Sequence, residues 1–534
     1  MLALRVFGSG VFAFGLVLSA CSQGPEEATS DEFVATESVA QALTAAQRLA
    51  ACAQDPRVVA GLVTQQICAG ADIFFRETFN GNGRTCGSCH PVANNMTVDR
   101  TFINDLHVTN PQDPLFIFER DANLSQLESA QLFNGGVLEN VDGFEAPTTK
   151  FVHRSVPHVL SMATSLAPDN TDGSTNPPKE RTGWGGDGAP GTGTLREFLA
   201  GAIKQHYPKT LQRSSGVDFR EPTAQEQDLT LAFQLSLGRL NEIDLKQVRL
   251  TDADAEIGRQ AYLDPARGRC NFCHENGGAN SELTHKNANF DTGTRFRPVF
   301  GAEGTLAGLP LFDGGFGGIG LSQPNIVTFP LSPENPPNDG LGNNTFNTPP
   351  VIEASDTLPG FHNDAATTPE AIVPFYISDD FRKSQASRDL IARFGTQIDF
   401  TPEDGDRMAR FIRILNAALN LDIAKQRLQA AQTLVGRFKD TRADIQKTLM
   451  QLAKEELIDA ALDLNDGLGP TQPCYPIAQD RIALAKTEID LGIAATSWST
   501  RQNRISNALS RVLNARDQFG SNMNFVLGKG NLMF

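Results

Sequence analysis

Two short runs constrain this chain more than anything else in it: Cys86-Gly87-Ser88-Cys89-His90 and Cys270-Asn271-Phe272-Cys273-His274. Each reads C-x-x-C-H. Two thiols about one helical turn apart reach the two vinyl groups of one haem, and the next side chain swings beneath the iron as its proximal ligand. A redox dithiol or half of a zinc site also uses C-x-x-C. Neither requires a histidine directly after both pairs, and only 8 of the 534 residues are His. The motifs therefore predict two covalently bound c-type haems, one on Cys86, Cys89 and His90 and one on Cys270, Cys273 and His274.

The N-terminus predicts export to the compartment where bacteria attach haem covalently. Arg5 precedes an apolar run, Val6 to Val17, which closes on Leu18-Ser19-Ala20-Cys21. The run is short for a bilayer span and ends in small residues before a cysteine. It resembles a bacterial lipoprotein signal over residues 1–20, with Cys21 lipidated; an ordinary secretory signal is the other reading. Ser22 behind that cysteine favours the outer membrane by the same resemblance. Residues 21–50, rich in Ser, Glu, Ala, Thr and Gln, read as a flexible tether. The expected location is the periplasm, with the lipid as the membrane contact. Charge excludes one class of partner: Lys and Arg total 46 against 62 Asp and Glu, a net −16. Without a basic run there is no nucleic-acid surface, whereas an acidic one suits a small basic partner.

The surroundings of the two motifs repeat. Gly70-Ala71-Asp72-Ile73-Phe74 precedes the first and Gly258-Arg259-Gln260-Ala261-Tyr262 the second, each with a small residue one turn before an aromatic on one helix face. Thr251-Asp252, with Asp254 in the first turn, is a helix start. Long irregular stretches, 165–194 and 300–345, suit loops that wrap a cofactor or sit at an interface. Of the remaining cysteines, Cys52 and Cys68 are expected to form a disulfide in an oxidising compartment, two free thiols being the alternative. Cys474 is left as a buried thiol or an intermolecular bridge.

With these residues in view, the chain resembles the bacterial di-haem cytochrome c peroxidases and their MauG-like relatives over roughly residues 60–415. Arg154-Ser155-Val156-Pro157-His158-Val159-Leu160 is similar to that family's R-N-x-P-T-V-L, and Gly183-Trp184-Gly185-Gly186-Asp187-Gly188-Ala189 to its F-W-D-G-R-A. Asn289-Phe290-Asp291-Thr292-Gly293 is similar to F-H-N-T-G. Phe346-Asn347-Thr348-Pro349-Pro350 and Thr357-Leu358-Pro359-Gly360-Phe361-His362-Asn363 match the closing pattern.

The resemblance implies roles. His90 would hold the haem that meets peroxide and His274 the electron-transfer haem. Trp184 would relay electrons between them, or is plain core. Thr357 and Pro359 match positions whose carbonyls bind calcium, although Ser155 replaces the family's Asn. Tyr376 falls where peroxidases carry Met and MauG carries Tyr, so it is either the second ligand of the second haem or a ring packed near its edge. As a ligand, a phenolate would lower that haem's potential. On the distal side of the first haem, His107 and His153 compete for the family's histidine position. Phe198 replaces the family's Gln, which leaves Glu197 and His206, with Asp187 behind them, as the groups to move a proton during O–O cleavage. An apolar distal pocket around Phe198 would suit O2 instead, as in rubber oxygenases.

From Thr401 onward apolar residues recur at helical spacing to about Leu464, break at Gly467-Pro470-Pro473, and resume from Ile477 to about Phe519. This predicts a long helical hairpin. The expected architecture is mostly α: a first cytochrome c-like haem domain over 51–245, a second over 246–400, and a helical extension over 401–534. The expected activity is reduction of hydrogen peroxide with electrons from a small c-type cytochrome or cupredoxin, or MauG-like use of that oxidant. A haem dioxygenase and a pure electron carrier are the alternatives.

Overall fold

Glycines at two helix crossings set the architecture. Helix α1 (Ala45–Cys52) leads to α2 (Gln65–Arg76), whose N-cap Thr64 accepts from the Ile67 amide at 3.2 Å. The buried face of α2 carries Cys68, Ala69, Gly70, Ile73 and Phe74. A Cβ on Gly70 would stand 2.0 Å from the Leu229 carbonyl oxygen, so only glycine lets α2 cross the later Ala224–Gln234 helix this closely. The second motif repeats the device. Helix Ala253–Leu263 starts on Asp252, which accepts from the Ala255 amide at 2.9 Å. A Cβ on its Gly258 would stand 2.0 Å from the Arg407 carbonyl oxygen. The duplicated Gly-to-aromatic spacing is thus a duplicated helix crossing.

The computed structural model describes residues 43–125, 132–139, 152–165, 195–283, 346–465 and 475–534, with short pieces at 127, 167–168, 180–181, 285–287, 289–294 and 297. The signal segment, Cys21, most of the tether, Trp184, Asp187, Cys474 and the side chain of Glu197 lie outside the described residues. Helices dominate what is described. The strands pair two by two, as in the antiparallel ladder of β1 (Gly136–Glu139) with β2 (Val152–Ser155). Cys52 and Cys68 form a disulfide that ties α1 to α2. No described helix is long and apolar enough to cross a membrane.

The main helices continue as α3 (Arg100–Thr109), α4 (Leu195–His206), α5 (Ala224–Gln234), α6 (Ala253–Leu263), α7 (Gln385–Phe394) and α8 (Pro402–Phe438). From residue 402 on, the expected single hairpin is corrected to four helices in two hairpins: α8 with α9 (Ala443–Asn465), then α10 (Pro476–Ala494) with α11 (Trp498–Arg516). Neither unexpected connection, Lys439-Asp440-Thr441-Arg442 or Ala495-Thr496-Ser497, holds a Gly or Pro. At the first, Lys439 takes a positive φ of 51°; at the second, Ser497 caps α11 by accepting from the Thr500 amide.

The boundary expected at residue 400 separates helices that pack together. Through Gly258 the first turns of α8 lie against α6; Arg410 pairs with Asp252, and Phe411 meets the Tyr262 ring at 5.6 Å. Helix α8 therefore stands to the second motif as α5 stands to the first. The C-terminal tail returns to the first half: the Gly528 amide donates to the Gly238 carbonyl at 2.9 Å, and the Asn531 side chain accepts from the Gly238 amide at 2.7 Å. Phe534 closes edge-on against Phe75 at 5.8 Å. Ala42–Phe534 accordingly forms one compact unit. Buried between the halves, Arg239 Nε donates to Glu353 Oε1 at 2.8 Å, and Ser161 donates to the same oxygen.

Candidate functional site

Both C-x-x-C-H segments open onto one cavity of about 760 Å³. Cys86–Cys89 is a single helical turn and Cys270–Phe272 a 3₁₀ turn, so within each pair the thiols lie about one turn apart. Phe74 from α2 and Tyr262 from α6 line the same cavity. Tyr262 also steadies the second motif, its hydroxyl donating to the His274 carbonyl at 2.7 Å.

The hydrogen bonds of the two imidazoles fix their tautomers. His90 Nδ1 lies 2.9 Å from the Met96 carbonyl oxygen and His274 Nδ1 lies 2.9 Å from the Pro349 carbonyl oxygen. A carbonyl only accepts, so Nδ1 carries the hydrogen in both and Nε2 keeps its lone pair. Histidines that bind metals are prepared in this way, their outer nitrogen tied to the protein. Burial pushes both rings down to about 4, partly offset by those carbonyl bonds, so both are neutral near pH 7.

The thiols behave unlike a redox pair. Burial pushes Cys86 up to about 11 and Cys270 up to about 12, and it raises Cys273 further. A disulfide-exchanging C-x-x-C needs a lowered thiol pKa. Tyr207, buried on the same wall, donates its hydroxyl to Cys86 Sγ at 3.3 Å. No three His, Cys, Asp or Glu side chains gather into a metal-ion cage among the described residues. Each motif instead offers two neutral thiols, one lone-pair nitrogen and a largely apolar space, which fits a covalently attached macrocycle better than a bare ion.

The other expected residues divide. Tyr376 lines the cavity beside the second motif; burial, then Cys273 and Cys270, push its phenol above the ordinary range, and its ring packs on Phe381 at 5.2 Å. Helix α4 contributes Phe198, Leu199, Ala202 and His206, and His206 is close enough to help depress His90. Thr357 and Pro359 also line the cavity. Ser155 does too, but its hydroxyl is engaged by the Phe361 carbonyl at 2.9 Å.

The distal expectations for His107 and His153 are corrected, because neither lines the cavity. His107 sits on the outer face of α3, 34% exposed, 2.8 Å from Glu119 and edge-on to Phe116. His153 lies on β2 next to Arg154. Successive strand residues face opposite ways, so Arg154 reaches the cavity while His153 turns back to Asp364, 3.0 Å from Nε2.

Tyr207, which no sequence signal singled out, lines the cavity, as do His158 and His362, which entered only inside motif matches and without a role. Scarcity was the usable signal: the chain has 4 Tyr and 8 His, and His90, His158, His206, His274 and His362 all meet at this one space. His158 is the inverse of the two motif histidines. Its Nδ1 accepts from the Leu160 amide at 3.2 Å, so its hydrogen is on Nε2. Burial lowers it to about 4. Comparison with protein-family models, with curated proteins and with solved structures gave no match.

Proposed function

We propose that the chain is an exported, lipid-anchored di-haem c-type oxidoreductase of the periplasm. In this reading it reduces hydrogen peroxide with electrons from a small c-type cytochrome or cupredoxin, or turns the same oxidant on a protein side chain. The observation that carries it is the matched pair of imidazoles, His90 and His274, each with Nδ1–H bound to a main-chain carbonyl and Nε2 left for a metal, on one shared cavity. Haem held there supplies one-electron redox chemistry and, where an axial position stays open, a site for an oxygen ligand.

The rest falls to the chain. Cys86, Cys89, Cys270 and Cys273 tether the groups. His158, with hydrogen on Nε2, and His206 are the wall groups able to hold and return the proton that O–O cleavage needs. Tyr376 would be the second ligand of the second haem; a phenol this buried keeps its proton against water, and binding iron would require that proton to pass to a base while the cation takes its place on the oxygen. Trp184 as relay, Glu197 as a further proton group, and calcium on the Thr357 and Pro359 carbonyls complete the reading. Two haems suit a substrate that takes two electrons from donors that give one at a time. Phe198, Leu199 and Ala202 on one wall favour a second reading, a dioxygenase taking O2 and an apolar substrate.

A pyridine haemochrome assay is expected to count two haems per chain. Optical and EPR spectra of the resting protein are expected to show one high-spin and one low-spin centre, with the high-spin signal lost on adding one equivalent of peroxide. Tyr376→Phe should shift only the low-spin signal. Fewer than two haems, or two low-spin centres indifferent to peroxide, would end the proposal; O2 uptake with an apolar substrate and no donor would decide for the dioxygenase.

A further inference from the structure

Where the shared cavity meets solvent decides which motif a partner can reach. Among the described residues that line it, the exposed ones are Leu283, Pro349, Ala392 and Arg393. All four lie at the second motif. The Pro349 carbonyl holds His274, and the Glu282 amide beside Leu283 donates to the Phe272 carbonyl at 3.0 Å. Ala392 and Arg393 belong to the last turn of α7, whose Phe394 ring stands edge-on to Phe272 at 5.3 Å. Around the first motif, by contrast, His158 and Tyr207 are buried and Phe198 and His206 half-buried. Phe272 sits inside the second C-x-x-C, so one ring-to-ring contact joins the surface residue Phe394 to the segment that carries Cys270 and Cys273.

The surface at this opening is apolar and locally basic. Leu283, Ile391 and Phe394 are 46%, 45% and 42% exposed, and large apolar side chains gathered at one opening mark a contact surface. Arg269 lies over the Phe394 ring at 4.3 Å and donates to the Pro265 carbonyl and the Thr396 hydroxyl. Arg388 donates to the Lys383 carbonyl and the Gln385 side chain. Neither of these nor Arg393 forms an ion pair with a carboxylate among the described residues. The carboxylate nearest the two α7 arginines is Asp389, which accepts from the Gln385 amide at 3.0 Å. The acids beyond it are engaged, Asp264 by Arg267 at 2.9 Å, Glu275 by His285 at 2.7 Å and Glu282 by Lys246 at 3.6 Å. Three guanidinium groups thus stand against one carboxylate, in a chain whose net charge is −16.

We propose that this opening is the docking surface of the electron donor, and that the donor is a small one-electron carrier with an acidic face around its own apolar contact. The proposal rests on the di-haem reading and narrows its partner. At physiological salt, charges more than about 8 Å away are largely screened, so the guanidinium groups at the opening outweigh the acidic chain as a whole in deciding what can sit there. A basic partner, which composition alone suggests, would press like charges together at Arg269, Arg388 and Arg393. In the transfer one electron leaves the donor's metal, which is oxidised, and reaches the group held on His274, which is reduced; no bond forms or breaks. Leu283, Ile391 and Phe394 supply the apolar contact, and Phe394 places it one ring away from the second motif.

The test mixes the fully reduced holoprotein with an oxidised carrier of either charge, so that the electron crosses the same surface in the reverse direction. The carriers are plastocyanin, with its acidic face, and mitochondrial cytochrome c, with its basic one; stopped-flow spectroscopy follows the second haem. Arg393→Glu, an exposed change at the end of α7, should lower the plastocyanin rate by about two- to fivefold and raise the cytochrome c rate. Binding read by NMR on isotope-labelled plastocyanin should weaken in parallel, without any electron transfer. Arg269→Gln should act in the same direction on both readouts. Rates that Arg393→Glu leaves unmoved, or moves alike for both carriers, overturn the docking surface, as does a plastocyanin that neither binds nor reacts. Each of those results leaves two haems counted per chain, whereas a count below two fails the di-haem reading itself.

Discussion

Around Cys86–His90 the wall carries groups that hold protons: His158, His206 and Tyr207, with Phe198 beside them. Around Cys270–His274 the wall carries Tyr262 and Tyr376, and Met408 of α8 brings its sulfur to within 4.0 Å of Cys270 Sγ. The scaffolds under the two motifs match: a glycine crossing, an aromatic one turn later, and a histidine whose Nδ1 is tied to a carbonyl. What faces the cavity differs. One frame used twice, with different walls, is what the proposed division into a peroxide site and an electron-transfer site would require.

The hardest way to break this contrast is to remove each imidazole in turn. His90→Ala is expected to reduce peroxide turnover to background and erase the high-spin signal. His274→Ala should leave peroxide binding at the first site while abolishing multiple turnover, read by stopped-flow spectroscopy with excess donor. Equal effects on peroxide binding would mean that the walls do not differentiate the sites. Next in size come the crossings. Gly70→Ala and Gly258→Ala each drive a methyl against a backbone carbonyl that no side-chain rotation relieves. Each should cost about 1–3 kcal/mol or more in a denaturant melt. Because both methyls meet a carbonyl oxygen at the same distance, the two losses should be similar, and a cheap Gly258→Ala would deny that α8 serves the second half as α5 serves the first.

A smaller and more local effect belongs to His158. If its Nε2–H serves the first site, His158→Leu should lower the peroxide rate by about 10²-fold at saturating donor. His158→Gln, which keeps a donor of similar reach, should recover much of that loss. The His274 spectrum should not change in either variant. A shift in both spectra would make His158 a packing residue common to the two sites.

Chemistry carried by contiguous residues was legible in the sequence, and chemistry assembled across the fold was not. C-x-x-C-H is local, and so is the Gly-to-aromatic helix pattern, so both motifs and their helices could be read directly. Cys52 and Cys68 were legible through compartment and spacing. His107 misled because spacing along the chain carries no information about which face of α3 is buried, and His153 because a one-residue step on a strand reverses direction. His158 reaches the cavity through a turn that no periodicity announces, whereas Tyr207 continues the α4 face that carries Phe198, Leu199, Ala202 and His206. The break at Lys439 was hidden because Lys439-Asp440-Thr441-Arg442 is only one polar turn long and holds no Gly or Pro, so it reads as the solvent face of a continuing helix. A contact across the boundary at 400 was equally invisible: α8 packs on the helix of a motif more than a hundred residues upstream.

The smallest expected effect is a pH dependence in which two buried groups oppose each other. Burial lowers His158 from 6.5 to about 4. Between those values the unfolded chain binds a proton that the folded chain does not, so its contribution falls as pH drops from 6.5 and is fully lost near 4. Burial raises Asp364 from 3.8 to about 6, despite His153 at 3.0 Å. Between 3.8 and 6 it is the folded chain that holds the extra proton, so this contribution weakens as pH rises through that window. The two slopes have opposite sign over roughly pH 4–6 and leave His158 alone between 6 and 6.5. Wild-type Tm should therefore change little across the overlap. Asp364→Asn should uncover a loss of stability on acidification, and His158→Gln should uncover a loss on going from pH 4 to 6. Parallel pH profiles for wild type and both variants would mean that neither ring nor carboxyl is as dry as the fold makes it, and the proton-holding wall of the first site would lose its physical basis.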